Sequence, residues 1–312
     1  MSLTVRERYA LQQFMDEKHT AMGNRIPGVP LFVLPGTAAT HLAFMRDRHK
    51  RVYTDLATAL AAATAGRGDV LVLAPGDHTV STASLAMSKA GVMIVGPEAW
   101  MGRDYPGMKS VATLTTDIAG DEIINVTAAD CAIIGVTLIP ITQSDALDVS
   151  SAAHRFKLIN CHIDLNTPAV HTSTIGITLA AASHIVVRGN TFQSDGAQGN
   201  AIVATASVAA TIEQNTFLNT AGTWASAIVC GAATAACEIA FNRFMCYGTA
   251  MTVGIDGTGA TLASGVWIHD NRAGSLVTKL VDNFDAGEAE ISENYDSGVG
   301  AADGGVLVTA IT

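Results

Sequence analysis

The 312-residue chain is short of charge and of aromatic rings: Asp, Glu, Lys and Arg make up 15% of it, and Phe, Trp and Tyr 5%. Ordinary soluble domains carry roughly 25% charged residues. Many outward positions must here be Ala, Thr or Val, which predicts a long face buried against other copies or a larger assembly. Three Trp and five Tyr are a thin supply for a sugar cleft, whose walls are usually exposed amphipathic rings. No apolar run approaches a membrane span. The opening MSLTVRERYALQQFMDEKHTA is charged and has no apolar signal core, so synthesis in a cytoplasm without ordinary secretion is expected. Cys131, Cys161, Cys230, Cys237 and Cys246 are odd in number and lack a C-x-x-C pair or a His/Cys cluster at zinc spacing. They read as reduced packing residues. Nucleophile motifs such as G-x-S-x-G and Gly-rich phosphate cradles are missing, and no metal or cofactor is implied.

What the chain does have is a column of asparagines. Asn160, Asn190, Asn215, Asn242, Asn271 and Asn294 are separated by 30, 25, 27, 29 and 23 residues, each after a short β-branched or apolar segment. Phe192, Phe217 and Phe244 follow three of them two residues later. Strand-like units recurring at this length mark a solenoid. Strands stacked about 4.8 Å apart let an asparagine at one corner pass hydrogen bonds from coil to coil, and asparagine tolerates a left-handed corner. The phenylalanines then form an internal aromatic stack. Gly96 and Gly135 take the asparagine's place in earlier coils, with a loop excursion expected near Asp104–Ser110. A second strand column runs through 122–126, 176–180, 201–205, 227–231, 250–254 and 276–280. The segments are too rich in Val, Ile and Thr for helices. The fold expected is all-β, a single-stranded right-handed parallel β-helix of roughly eight coils.

Residues 1–50 read as an N-terminal attachment arm and 51–312 as the β-helix, opened by a capping helix over about 54–65. Thr54 or Asp55 starts that helix and Gly66 ends it, and a helix there covers strand edges that would otherwise aggregate. Residues 1–67 hold nine Lys/Arg against five acids, while the rest of the chain is near −14. Arg6, Arg8, Lys18 and Arg25 are the candidate anchors of a basic arm on an acidic body. Interleaved aromatics are missing, so direct nucleic-acid binding is not expected.

Tyr53, Asp55–Leu60, Gly68–Asp69, Val70–Leu73, Pro75–Gly76 and Val92–Gly96 resemble the opening of pectate-lyase-like β-helix proteins. The order GVPLFVL, YTDLATAL, GRGDVLVLAPGDH is similar to the start of β-helix proteins found among tailed-bacteriophage structural proteins. This resemblance covers roughly residues 28–100. It implies a virion protein that works mechanically and not as an enzyme: a capsid decoration (cement) protein on the capsid surface, bound to the major capsid protein and to copies of itself as a homotrimer. The alternative is a tail-spike or tail-fibre β-helix with polysaccharide lyase or hydrolase activity.

For that alternative the spacing offers one constellation. Asp270 and Glu293 each precede a ladder asparagine, and Arg243 and Arg272 each follow one, so stacking brings four charges together. They could form a calcium-and-arginine lyase site, the carboxylate pair of a glycosidase, or merely a salt-bridged corner like the one expected for Arg188 and Glu213. The string Val266-Trp267-Ile268-His269-Asp270 comes near a pectate-lyase strand, with its last two residues transposed.

Overall fold

The structure, a computed structural model, describes residues 28–35, 51–80, 83–96, 111–116, 122–140, 145–165, 175–195, 199–231, 233–257, 265–274, 276–284, 289–297 and 306–308. Three sheets of 11, 10 and 8 strands run the length of a β-helix, parallel throughout except for the strand Val306–Val308, which pairs antiparallel at the end of the second. Each coil contributes one strand to each sheet, paired in register with the coils before and after it. The second sheet, for example, aligns Phe192 with Phe217 and Phe217 with Phe244. These rings stack as expected, with centroids 5.1 and 4.9 Å apart and planes within 10°.

Local conformation explains the coil. Most first-sheet strands are short, and the best-defined are bracketed by two left-handed residues five positions apart. The upstream column is Gly91, Asp130, Arg155, His184, Ala209, Ala236 and Gly265, with φ from +51° to +99°. The downstream column is Gly135, Asn160, Gly189, Gln214, Phe241, Asp270 and Glu293, with φ from +53° to +68°. A left-handed non-glycine residue costs about 1–2 kcal/mol, so these corners persist only because stacking holds each against its neighbours.

The hydrogen-bond ladder does that at the downstream corner. Asn215 Oδ1 accepts from the Asn190 backbone N–H at 2.9 Å and from Asn190 Nδ2 at 3.0 Å. Asn242, Asn271 and Asn294 repeat the pattern. Each Nδ2 of Asn190, Asn215, Asn242, Asn271 and Asn294 also donates to a backbone carbonyl. All five are buried.

Asn160 corrects the expected ladder by one position. Ile159 pairs with Arg188, which sets Asn160 beside Gly189 and puts Cys161 in the ladder column. Asn160 is itself the left-handed residue, and a Cβ on Gly189 would lie 2.5 Å from its Oδ1. The ladder starts where the Cys161 N–H donates to Asn190 Oδ1 at 2.8 Å. Gly96 and Gly135 are likewise neighbours at the turn and not in the ladder, since Val95 pairs with Ile134. Residues 96–135 therefore make one coil.

Helix α1 (Leu56–Ala62) is capped by Asp55, whose Oδ1 accepts from the Thr58 N–H at 2.7 Å. Its buried Leu56, Ala59 and Leu60 join the core at the first coil. The strand Pro30–Val33 pairs with Val70–Leu73 in the first sheet, so the β-helix recruits residues upstream of 50. Asp69 ties this end together, accepting from the Val29 N–H at 2.9 Å, the Thr64 N–H at 2.7 Å and the Arg67 guanidinium. Arg6, Arg8, Lys18, Arg25 and the segment Asp104–Ser110 lie outside the described residues. Among the described residues no helix is long and apolar enough to cross a membrane.

Two stability measurements follow. Asn215→Ala leaves buried donors without partners and is expected to cost about 2–4 kcal/mol, whereas Asn160→Gly, at a left-handed position, should stay within about 1 kcal/mol; urea unfolding compares them. Burial alone would push the Asp69 carboxyl up, but Arg67 and the Val29 and Thr64 amides outweigh it and hold it below the usual carboxylate range. Its stabilisation is therefore present above the unfolded value of about 3.9 and is lost as pH falls through the folded value. Asp69→Asn should lower stability at neutral pH by about 1–3 kcal/mol and flatten the acid limb of a pH series.

Candidate functional site

The last coils turn from the first sheet into the second through three left-handed residues in a row along the stack: Phe241, Asp270 and Glu293. The ladder asparagine that follows each is buried, so the next side chain points outward again. Register aligns these outward residues as Arg243, Arg272 and Tyr295. One corner thus carries two parallel columns of exposed or half-exposed groups, one of carboxylates and Phe241, the other of arginines and Tyr295.

Between them lie two adjoining depressions that share Arg243, Asp270 and Arg272. One, of about 380 Å³, is also lined by Gln214, Thr216, Phe241 and Asn242. The other, of about 520 Å³, adds Glu293, Tyr295, Met245 and Gly274 among its walls. Their size suits a ligand of a few rings. The four charges predicted to meet do line one groove, but not as a salt-bridged ladder. Among the described residues, none of Arg243, Asp270, Arg272 and Glu293 forms an ion pair with another of the four. By contrast, Arg188 and Glu213 do pair on earlier coils of the first sheet, as expected. Two carboxylates beside two guanidiniums fall short of the six to eight oxygens that calcium takes, and among the described residues no group of three or more His, Cys, Asp or Glu is placed to hold a metal.

Asp270 has a different partner. Its Oδ2 lies 2.8 Å from His269 Nδ1, and His269 Nε2 lies 3.2 Å from Glu238 Oε1. Trp267 packs on the imidazole with centroids 3.9 Å apart, and Phe241 meets it edge-on at 5.6 Å. These contacts leave His269 only 6% exposed although it points away from the core. Phe241, Trp267 and Tyr295 are themselves 48%, 45% and 43% exposed. Phe241 and Tyr295 line the depressions and Trp267 packs beside them on His269, so the thin supply of aromatics does not leave this corner without exposed rings; Tyr247, also exposed, lies outside the depressions. Glu238, Phe241, Trp267, His269 and Tyr295 were not selected by their spacing in the sequence. Only His269 and Trp267 gave a local signal, in the strand before Asp270.

The cysteines supply no nucleophile. All five are free, four are buried and Cys246 half-buried. Burial pushes the Cys131 thiol up to about 11 and raises those of Cys230, Cys237 and Cys246.

No protein-family model and no curated protein matches the chain. Solved structures do. A pectin methylesterase bound to a hexasaccharide superposes with a TM-score of 0.55 at 11% identity, over 87% of this chain and 91% of that one. Pectin methylesterase PemA from Erwinia chrysanthemi gives 0.53 at 10% identity over 87% and 90%. The enzyme from Aspergillus niger gives 0.52 at 12% identity over 87% and 86%. At such identity the likeness shows the fold, the parallel β-helix that pectate-lyase-like sequences also imply. The expectation of a non-enzymatic capsid decoration protein is corrected here: the solved chains of matching architecture are pectin methylesterases, which are enzymes.

Proposed function

We propose that this chain degrades an acidic polysaccharide, as a lyase or hydrolase, in the groove between the first and second sheets of its last coils. The observation that carries the reading is the convergence of Asp270, Glu293, Arg243 and Arg272 on two adjoining depressions lined also by Phe241 and Tyr295. Exposed rings suit sugar faces. Arg243 and Arg272, aligned on adjacent coils and without an ion-pair partner among the described residues, are matched by carboxylates on a polymer. Asp270 and Glu293 supply the acid and base needed to protonate a leaving oxygen and to activate water or remove a proton. The three neighbours reported are, by their names, enzymes that act on pectin.

The setting proposed is a bacteriophage tail spike or tail fibre, assembled as a homotrimer. The phage setting rests on the resemblance over residues 28–100, and the trimer on outward faces short of charge, which suit association of copies.

The test is depolymerisation of polygalacturonate, alginate and hyaluronate, with dextran and galactan as neutral controls. Cleavage of an anionic polymer is expected, with Asp270→Asn and Glu293→Gln each lowering kcat at least about 100-fold. Arg243→Ala and Arg272→Ala should raise KM, with a steeper loss at low salt. An unsaturated product detected by ultraviolet absorbance identifies a lyase, and new reducing ends without it identify a hydrolase. Full activity in both carboxylate variants would remove the site from consideration.

A further inference from the structure

The two carboxylates of the groove are not equivalent. Glu293 is exposed, and its neighbour on the first-sheet strand is Ser292. Asp270 is backed by an imidazole that four other groups hold in place: Glu238 on Nε2, Asp270 itself on Nδ1, Trp267 over the ring and Phe241 at its edge. Among the described residues the arrangement occurs on one coil only. The residues in register with His269 are Ala240 and Ser292, so this ring is not part of the repeat that builds the solenoid. It also faces outward, where a side chain is not needed to fill the core, and yet it is almost wholly covered.

We infer that His269 is a positioning residue for Asp270, fixed in turn by Glu238, and that Asp270 is the oriented acid–base group of the groove while Glu293 is the freely solvated one. A carboxylate accepts and a ring N–H donates. An Nδ1–H held on Asp270 Oδ2 occupies that oxygen and leaves Oδ1 as the one free to address a substrate. The aromatic walls keep water from competing for the imidazole. When the ring carries both protons, Nε2–H donates to Glu238, reached across 31 residues of sequence, and this second bond stops the ring from turning away. A side chain that supports a reacting group in this manner alters turnover more than binding, because the orientation matters most where charge moves.

This inference rests on the proposed site, and the experiment separates the two. His269→Gln, His269→Ala, Glu238→Gln and Asp270→Asn are compared with the unaltered protein on whichever of polygalacturonate, alginate and hyaluronate it cleaves, after circular dichroism has shown each variant folded. His269→Gln is expected to lose at least about tenfold in kcat with KM within about twofold, and Glu238→Gln to lose less. Added imidazole should restore part of the kcat lost in His269→Ala. Independently of turnover, the ¹⁵N shifts of the His269 ring should move in Asp270→Asn and in Glu238→Gln. If Asp270→Asn is inactive while His269→Gln and Glu238→Gln keep full kcat, positioning is refuted and the site survives. Ring shifts unmoved by Asp270→Asn refute it as well. If Asp270→Asn is fully active, or no polymer is cleaved, the site itself falls and the inference with it.

Discussion

In-register stacking at a left-handed corner is the constraint on which the rest of this molecule depends. Most first-sheet strands from Ala132–Ile134 onward enter and leave through backbone conformations that L-residues disfavour, and no single coil could sustain them. The buried asparagine after the corner makes them tenable by joining its own coil to the next through both backbone and side-chain donors. Its amide is fully used: the oxygen takes two bonds from the preceding coil, and the nitrogen donates to a backbone carbonyl of that same coil and to the next asparagine's oxygen. Because the later coils are bound to their neighbours in this way and all coils are paired in register, a side chain at a corner is placed within one strand spacing of its counterpart.

That regularity is what makes a groove possible at the surface. Corner residues are repeated along the axis, so functional groups need only be written into consecutive coils to meet. Early and middle coils use the position after the turn for valine, cysteine or asparagine and the turn itself for glycine, asparagine or glutamine. On the last coils the same positions become Phe241, Asp270 and Glu293, followed across the ladder by Arg243, Arg272 and Tyr295. The polar chemistry rests on the ladder without interrupting it. Strain at Asp270 and Glu293, left-handed without being glycine, is borne where the side chains point into the groove.

The scaffold was legible in the sequence because its determinants are periodic and local. Asn190 through Asn294, the three stacked phenylalanines and the strand column of the third sheet could be read as a spacing, and so could the meeting of Asp270 with Arg272. Asn160 misled because an asparagine suits both the left-handed turn and the buried ladder; only pairing with Arg188's strand distinguishes the two. Apart from the three phenylalanines, the second sheet left little trace. Its strands carry Thr, His and Asp where the others alternate cleanly, and its outward residues at Thr137, His162 and Thr191 are buried.

The character of the site was decided by tertiary structure. Sequence by itself determined that the chain is a stacked β-helix with a capped first coil, since hydrophobic period, asparagine spacing and the Asp55 cap are properties of short segments. It also determined which coils bear charge at the corner. It could not show that those charges avoid one another, or that Asp270 turns instead to His269 and through it to Glu238. Nor could it show that three of a small number of aromatics share one surface. Those relations depend on side-chain direction across coils, and they exist only once residues some thirty positions apart are brought to a single strand spacing.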